Sequence, residues 1–254
     1  MSDIKIGVQL YSVRDILNDD LAGTLKKLSK MGYDGVEFFG EAPASFQKLK
    51  ALLDENNLEC CGWHFWGDYN ELKDEKTIKT IANQYKIIEN NNLIVSSVPE
   101  EYRGTYQGWI DVARNFNQIG KKLKKYNINL GYHNHDFEFK VLDGEIPWEI
   151  LFDNTNSDIL MQLDTGNAYK GGGKILDILK KYSSQAKTIH LKPYSVSKGF
   201  KTVIGEDDLP WKEIFEICEK KANTEWYMIE YESEAEDPLM IVDKCLQNTL
   251  ELMN

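Results

Sequence analysis

The sequence predicts a single α/β domain over residues 1–254, a (β/α)8 barrel of the TIM type with parallel strands, and three observations carry that prediction. Eight β-rich runs alternate with longer helical patterns from one end of the chain to the other, with no Pro/Ser linker or low-complexity break between them. The 254 residues match the roughly 250 typical of such a barrel. No G-x-G-x-x-G follows any predicted strand, which disfavours the open doubly wound sheet, the other solution for repeated βαβ units.

The first strand is expected in Ile4–Leu10 (IKIGVQL), with a helix over Leu21–Met31. Gly35–Phe39 (GVEFF) precedes a helix near Ala44–Asn56, and Glu59–Phe65 (ECCGWHF) precedes one near Asp74–Asn90. The fourth strand falls in Leu93–Val98, and its helix, near Tyr106–Tyr126, is the longest. Ile128–His135 (INLGYHNH) leads to a helix starting near Pro147, where a missing N–H costs nothing because that group would have no partner. Ile159–Asp164, Thr188–Lys192 and Trp226–Tyr231 complete the strands, with helices near Ile175–Tyr182, Trp211–Lys221 and Pro238–Leu252. Gly171–Gly173 reads as a flexible turn opening a helix, whose amides could alternatively hold a phosphate.

Composition narrows the function classes. Lys+Arg 30 against Asp+Glu 41 gives a formal net charge of −11, which argues against nucleic acid as a partner, since that binding rests on cationic side chains neutralising phosphates. The one dense basic run, Lys121, Lys122, Lys124 and Lys125, ends a predicted helix, where cations suit the negative end of the dipole. No run approaches the roughly 18 apolar residues of a membrane span, and MSDIKIGVQLYS lacks a signal-peptide pattern, so no membrane partner and a cytoplasmic location are expected. Four cysteines without C-x-x-C spacing read as small buried hydrophobes.

In a closed barrel the active site occupies the C-terminal ends of the strands. Gln9 and Tyr11 end strand one, Glu37 strand two, and His64 with Trp66 strand three. His133 and His135 end strand five with Glu138 just beyond, Asp164 ends six, His190 and Lys192 end seven, and Glu230 and Glu232 end eight. Each alone has an ordinary structural explanation, a cap for an acid or a hydrogen-bonded imidazole for a histidine. Their convergence at one end would concentrate buried charge, which a shared cation resolves. Mixed imidazole and carboxylate donors suit one divalent Mn²⁺, Zn²⁺ or Co²⁺ ion better than Ca²⁺.

At these residues the sequence resembles the xylose-isomerase-like barrel superfamily, the sugar phosphate isomerase/epimerase group that includes tagatose-3-epimerase-like, inosose-dehydratase-like and endonuclease-IV-like enzymes. The resemblance runs through IGVQLYSVRD (Ile6–Asp15), GYDGVEFF (Gly32–Phe39), GYHNHDFEF (Gly131–Phe139), LDTGNAYKGG (Leu163–Gly172), HLK (His190–Lys192), GEDDLPW (Gly205–Trp211) and MIEYE (Met228–Glu232). It implies metal ligands at Asp164, His190 and Glu230. The usual strand-five glutamate aligns with His133, so either His133 replaces it or Glu138 folds back; the expectation adopted is Glu138, with His133 and His135 contacting substrate or moving protons. Asn167 stands where the nuclease branch has a histidine, and four histidines are too few for that branch's metal cluster.

The implied activity is a metal-dependent isomerase or epimerase acting on a keto-sugar or sugar phosphate through an enediolate. Glu230, Glu138 and His133 are the catalytic candidates, and Glu37, His64, Trp66, His135 and Lys192 the substrate-binding ones. Among the tryptophans only Trp66 is expected to line the pocket, while Trp63, Trp109 and Trp211 are expected in packing. Two alternatives stand beside it: a dehydratase or lyase on a keto-polyol or 3-keto-glycoside at the same metal, and a carbohydrate-binding barrel without chemistry. The partner expected is a small-molecule sugar or sugar phosphate, with a homo-oligomer left open.

Overall fold

Short runs of β-branched, aromatic and aliphatic residues, each ended by a polar or glycine-containing loop, form eight strands, as their preference for a pleated, buried surface dictates. The computed structural model describes residues 4–253. Its strands are β1 (Lys5–Gln9), β2 (Gly35–Phe39), β3 (Glu59–Phe65), β4 (Asn92–Val95), β5 (Asn129–His133), β6 (Leu160–Asp164), β7 (Thr188–Leu191) and β8 (Trp226–Ile229). Each pairs in parallel with its sequence neighbours, and β1 closes on β8 through Lys5↔Trp226 to Val8↔Ile229, so the sheet is a closed (β/α)8 barrel.

The helices begin where side-chain oxygens can satisfy their first free amides. Asp20 accepts from Gly23 N at 2.8 Å, Asp74 from Thr77 N at 2.9 Å, Thr105 from Gly108 N at 3.0 Å and Asp237 from Met240 N at 3.1 Å. Pro147 and Pro238 occupy first turns, as their fixed φ and missing N–H allow. The longest helix, Tyr106–Leu123, buries Trp109, Val112, Phe116, Ile119 and Leu123 at spacings of three and four, one face laid on the barrel. There Trp109 and Phe116 meet Tyr132 of β5 edge-on, with ring centroids 6.3 and 5.7 Å away.

Inside the barrel the filling changes character from end to end. Near the strand starts Cys61 and Met228 make a small apolar cluster, and a Cβ on Gly7 would come within 3.0 Å of both sulfur atoms. Towards the strand ends the inward positions are Glu37, His64, His133, Gln162, His190 and Glu230, all buried. A register shift between Val36 and Glu37 sets Glu37 opposite Gly62, whose added Cβ would lie 2.4 Å from Glu37 Oε1. The bulge and the glycine together therefore make room for a carboxylate inside the barrel.

Three local details differ from the sequence reading. β4 stops at Val95, and β5 stops at His133, leaving His135 in a loop. A short helix that the sequence reading did not place, Thr165–Gly171, follows strand six, because Asp164 Oδ1 accepts the Asn167 amide at 2.7 Å. Gly172, at φ +88°, closes that helix in the left-handed region, so the glycine triplet is first of all a stop signal. All four cysteines are buried and free, and among the described residues no helix is long and apolar enough to cross a membrane.

Candidate active site

Parallel strands in register bring their last inward side chains to one level. Asp164 pairs with His190, and His133 with Gln162, across neighbouring strands. One imidazole nitrogen each from His133 and His190 and one carboxylate oxygen each from Asp164 and Glu230 lie within 4.8 Å of one another, all four residues buried. A second grouping, His64, His133 and His190, shares two of these rings.

Gln162 sets the direction of the imidazoles. Its amide nitrogen donates to Glu37 Oε1 at 2.8 Å and to Thr188 Oγ1 at 3.3 Å, so its oxygen faces the rings. His64 Nε2 donates to that oxygen at 2.8 Å and His133 Nδ1 at 3.1 Å. The Nε2 lone pair of His133 is thereby left towards Asp164 Oδ2, 3.6 Å away. Burial and the neighbouring rings of His190 and His64 hold His133 well below the ordinary histidine range, so it is neutral and available as a ligand.

His190 is the opposite case. Its Nδ1 donates to Glu230 Oε2 at 2.7 Å and its Nε2 to Glu37 Oε2 at 2.6 Å. Burial opposes its charge, but the two carboxylates outweigh it and push the imidazole up to about 10. Burial would likewise raise Glu37 and Glu230, yet the cations around them win and hold both well below the usual carboxylate range. Lys192, fully buried, is 3.4 Å from Asp164 Oδ2, 3.4 Å from Glu230 Oε1 and paired with Glu232, which keep it charged against burial. Asp164 is pushed up to about 6, burial outweighing Lys192. Two protein cations, His190 and Lys192, thus offset part of the negative charge of Glu37, Asp164 and Glu230.

Glu138 is not brought into this group. Its carboxylate accepts from Tyr132 Oη at 2.6 Å and from the His135 amide at 2.9 Å, fully buried beside the strand-five loop. The geometry therefore departs from the expectation that Glu138 supplies the strand-five ligand: the chain turns at Asn134, so the inward position is taken by His133. Burial, only partly offset by Tyr132 and two amides, pushes Glu138 up to about 7. Glu230 and His133 fall in the cluster, and Glu37, expected to touch substrate, instead lies beneath it, bonded to His190, Gln9 and Gln162.

Above the cluster opens a cavity of about 290 Å³. His64, His133, His135, Lys192 and Glu230 line its floor and one wall, and Tyr11, Phe39 and Trp66 its mouth. His135 Nδ1 is buried without a hydrogen-bond partner, and burial with the Lys192 charge lowers its pKa. Trp63, Trp109 and Trp211 are buried in packing. Arg14 donates to the carbonyls of Tyr11 and Glu232, and Arg103 to Val98 O and Ser97 Oγ. Glu206 pairs with Lys244, and Asp207 accepts from Trp211 Nε1, both away from the cluster. Gln162 is the member that sequence reading missed; its place two residues before Asp164 on a strand, hence on the same inward face, was the available signal.

The two imidazole nitrogens and two carboxylate oxygens make a donor set that suits a borderline divalent cation. A (β/α)8 barrel with such a cluster at the C-terminal mouth defines a class of barrels with a candidate metal centre. The chain belongs to the xylose isomerase-like TIM barrel family, whose sequence profile matches residues 25–247. It is 23% identical over 245 residues to an inosose dehydratase of Histophilus somni (strain 129Pt), covering 83% of this chain and 82% of that one. Its fold is similar to a sugar phosphate isomerase/epimerase from Parabacteroides distasonis, with TM-score 0.83 and 21% identity over 100% of this chain and 96% of that one. It is also similar to the IOLI protein with a binding zinc atom, with TM-score 0.77 and 10% identity over 98% of each chain.

Proposed function

We propose that the chain is a divalent-metal-dependent isomerase or epimerase that moves a proton on carbon adjacent to the carbonyl of a keto-sugar. The observation that carries this reading is the buried His133, Asp164, His190 and Glu230 cluster at the floor of a cavity walled by an unpartnered imidazole. Likeness to inosose dehydratases and to a sugar phosphate isomerase/epimerase supports a carbohydrate substrate. Those four residues would hold Mn²⁺, Zn²⁺ or Co²⁺ once His190 gives up one of the ring protons it shares with Glu37 and Glu230, and the bound ion would supply positive charge where the carbon acid's negative charge develops.

His135 is the proton acceptor in this reading. Its ring lines the cavity, burial and the Lys192 charge lower its pKa and so favour the neutral imidazole, and its buried Nδ1 has no hydrogen-bond partner, whereas the Glu230 carboxylate is occupied by His190 and Lys192. Glu138 positions it by accepting the His135 amide. Glu37 and Gln162 fix the rings of His190 and His133. Lys192 bridges Asp164 and Glu230 at the cavity wall.

A second reading shares the first step and then expels a β-hydroxyl as water. The inosose dehydratase relative, aligned over 83% of this chain, favours it. The test is elemental analysis of the parent, His133→Ala and Glu138→Gln, followed by exchange of keto-sugar protons in deuterated water. Stoichiometric divalent metal lost only in His133→Ala, with exchange lost in His135→Gln, is the expected result. A protein that takes up no divalent metal, or exchanges no proton with metal bound, overturns the enzymatic reading in favour of a binding barrel. Near-ultraviolet absorbance from an enone product would assign the dehydratase.

A further inference from the structure

The mouth of the cavity is built differently from its floor. Tyr11 and Phe39 pack edge-on with centroids 5.3 Å apart, and Trp66 lies 5.9 Å from Tyr11 and 5.0 Å from Phe39. Trp66 is 57% exposed, while the other five tryptophans are buried. Its position is specified by the backbone beneath it: Gly40 has φ +57°, and a Cβ there would come 2.9 Å from the indole. Glycine there leaves the space that the indole fills, and the indole's contacts with Tyr11 and Phe39 set the ring's position at the end of strand two.

The charges around the mouth are already committed. Lys192 is shared by Asp164, Glu230 and Glu232. Arg14 is spent on two carbonyls and stacks 4.3 Å from the Tyr11 ring centroid; Arg103 is spent on Val98 O and Ser97 Oγ and stacks 4.6 Å from the Phe137 ring centroid. Glu230 and Glu232 both line the cavity, so an incoming phosphate would meet carboxylates and find no unpaired cation among its described lining residues. A rigid aromatic shelf without an anion site is the surface that the apolar face of an uncharged sugar ring fits.

We propose that the substrate is an uncharged saccharide of two rings, its reacting ring over the buried cluster and its second ring stacked on the Tyr11, Phe39 and Trp66 shelf. This rests on the proposed carbohydrate chemistry for the inner ring and goes beyond it for the outer one. The shelf acts as a subsite that selects a glycoside over a phosphorylated monosaccharide.

Trp66 supplies its own reporter, because acrylamide quenches an exposed indole and not the buried ones. The full chain, with and without Mn²⁺, is titrated with maltose, cellobiose, sucrose and trehalose, with glucose, with glucose 6-phosphate and with inorganic phosphate. At least one disaccharide should shield Trp66 at about tenfold lower concentration than glucose does, the size of one aromatic contact. Glucose 6-phosphate should bind no tighter than glucose. In Trp66→Ala the ratio of disaccharide to glucose affinity, read by calorimetry, should fall to about one. Disaccharides no better than glucose, tighter binding of glucose 6-phosphate, displacement by inorganic phosphate, or an unchanged ratio in Trp66→Ala each overturns the proposal. Metal content and proton exchange are scored separately, so loss of the chemistry with an intact disaccharide preference, or the reverse, shows which of the two readings has failed.

Discussion

The two ends of the barrel use the same strands for opposite purposes. At the strand starts lies the larger opening, about 810 Å³, lined by Lys5, Glu59, Lys187 and Glu225 among others, and its ion pairs are exposed. At the strand ends the cavity is smaller, about 290 Å³, but the ion pairs beneath it are buried. Cavity size and buried charge therefore single out opposite ends of the barrel. Exposed pairs stabilise by about 0–1 kcal/mol because water screens them, whereas breaking a buried pair strands a charge and costs about 3–5 kcal/mol. A chain keeps such an arrangement where its charges also serve a function.

Removing the central cation of the upper end should have the largest effect. His190→Ala removes the cation shared by Glu37 and Glu230, leaving Glu37 to His64 and Glu230 to Lys192, and urea unfolding of the metal-free protein should show a loss of about 3–5 kcal/mol. A loss under 1 kcal/mol would mean that the two ends do not differ as described.

The pH dependence comes next. Glu138, pushed up to about 7, contributes stability that is fully present below the unfolded value near 4.5 and is lost as pH rises through 7. Asp164, raised from 3.8 to about 6, loses its part between those values, and His190, raised from 6.5 to about 10, loses its part between those, so the decline of the metal-free protein above pH 7 should come from His190. Glu37 and Glu230, held low, contribute above pH 4.5 and lose that contribution as pH falls below it. Glu138→Gln should remove about 3 kcal/mol of the variation between pH 4.5 and pH 8, measured as unfolding free energy against pH. An unchanged slope would show that this carboxyl is not the group titrating there.

A matched pair of glycine substitutions sharpens the contrast. Gly62→Ala places a methyl group 2.4 Å from the Glu37 carboxylate, which His64, His190, Gln9 and Gln162 hold in place. It should cost about 1–3 kcal/mol and weaken divalent-metal uptake. Gly7→Ala meets Cys61 and Met228 at 3.0 Å, where a flexible thioether can yield, so its cost should be smaller and metal uptake unchanged. Equal effects on metal uptake would remove the bulge at Glu37 from the account of the site. The smallest effect is expected from Lys5→Ala, under about 1 kcal/mol, because its pair with Glu59 is exposed; thermal unfolding checks it.

Much of this organisation was legible before any coordinates. Alternating strands and helices without a dinucleotide fingerprint gave the barrel, and strand-end positions placed Asp164, His190 and Glu230 at one mouth. Trp66 was singled out for the pocket because it follows a strand end, and it does line the mouth. These inferences work because parallel pairing in a closed sheet puts every strand end at the same level, so chain position alone fixes height in the barrel.

Of His133 and Glu138, tertiary structure brings only His133 into the cluster. Both are strand-five residues of suitable chemistry, but β5 carries His133 inward in register with Gln162, while the following turn leads Glu138 to Tyr132. The roles of Glu37 and Gln162 were equally hidden, since a carboxylate or amide is known only by what it touches. The sequence by itself determined the barrel, the end at which the buried polar groups gather and most of those groups, because hydrophobic periodicity and strand order are local properties of the chain. Only the tertiary structure decided which ring nitrogen faces which carboxylate, where charges pair and which imidazole nitrogen is left without a partner, because hydrogen-bond direction and burial depend on residues far apart in the chain, such as Glu37 and His190, 153 positions apart.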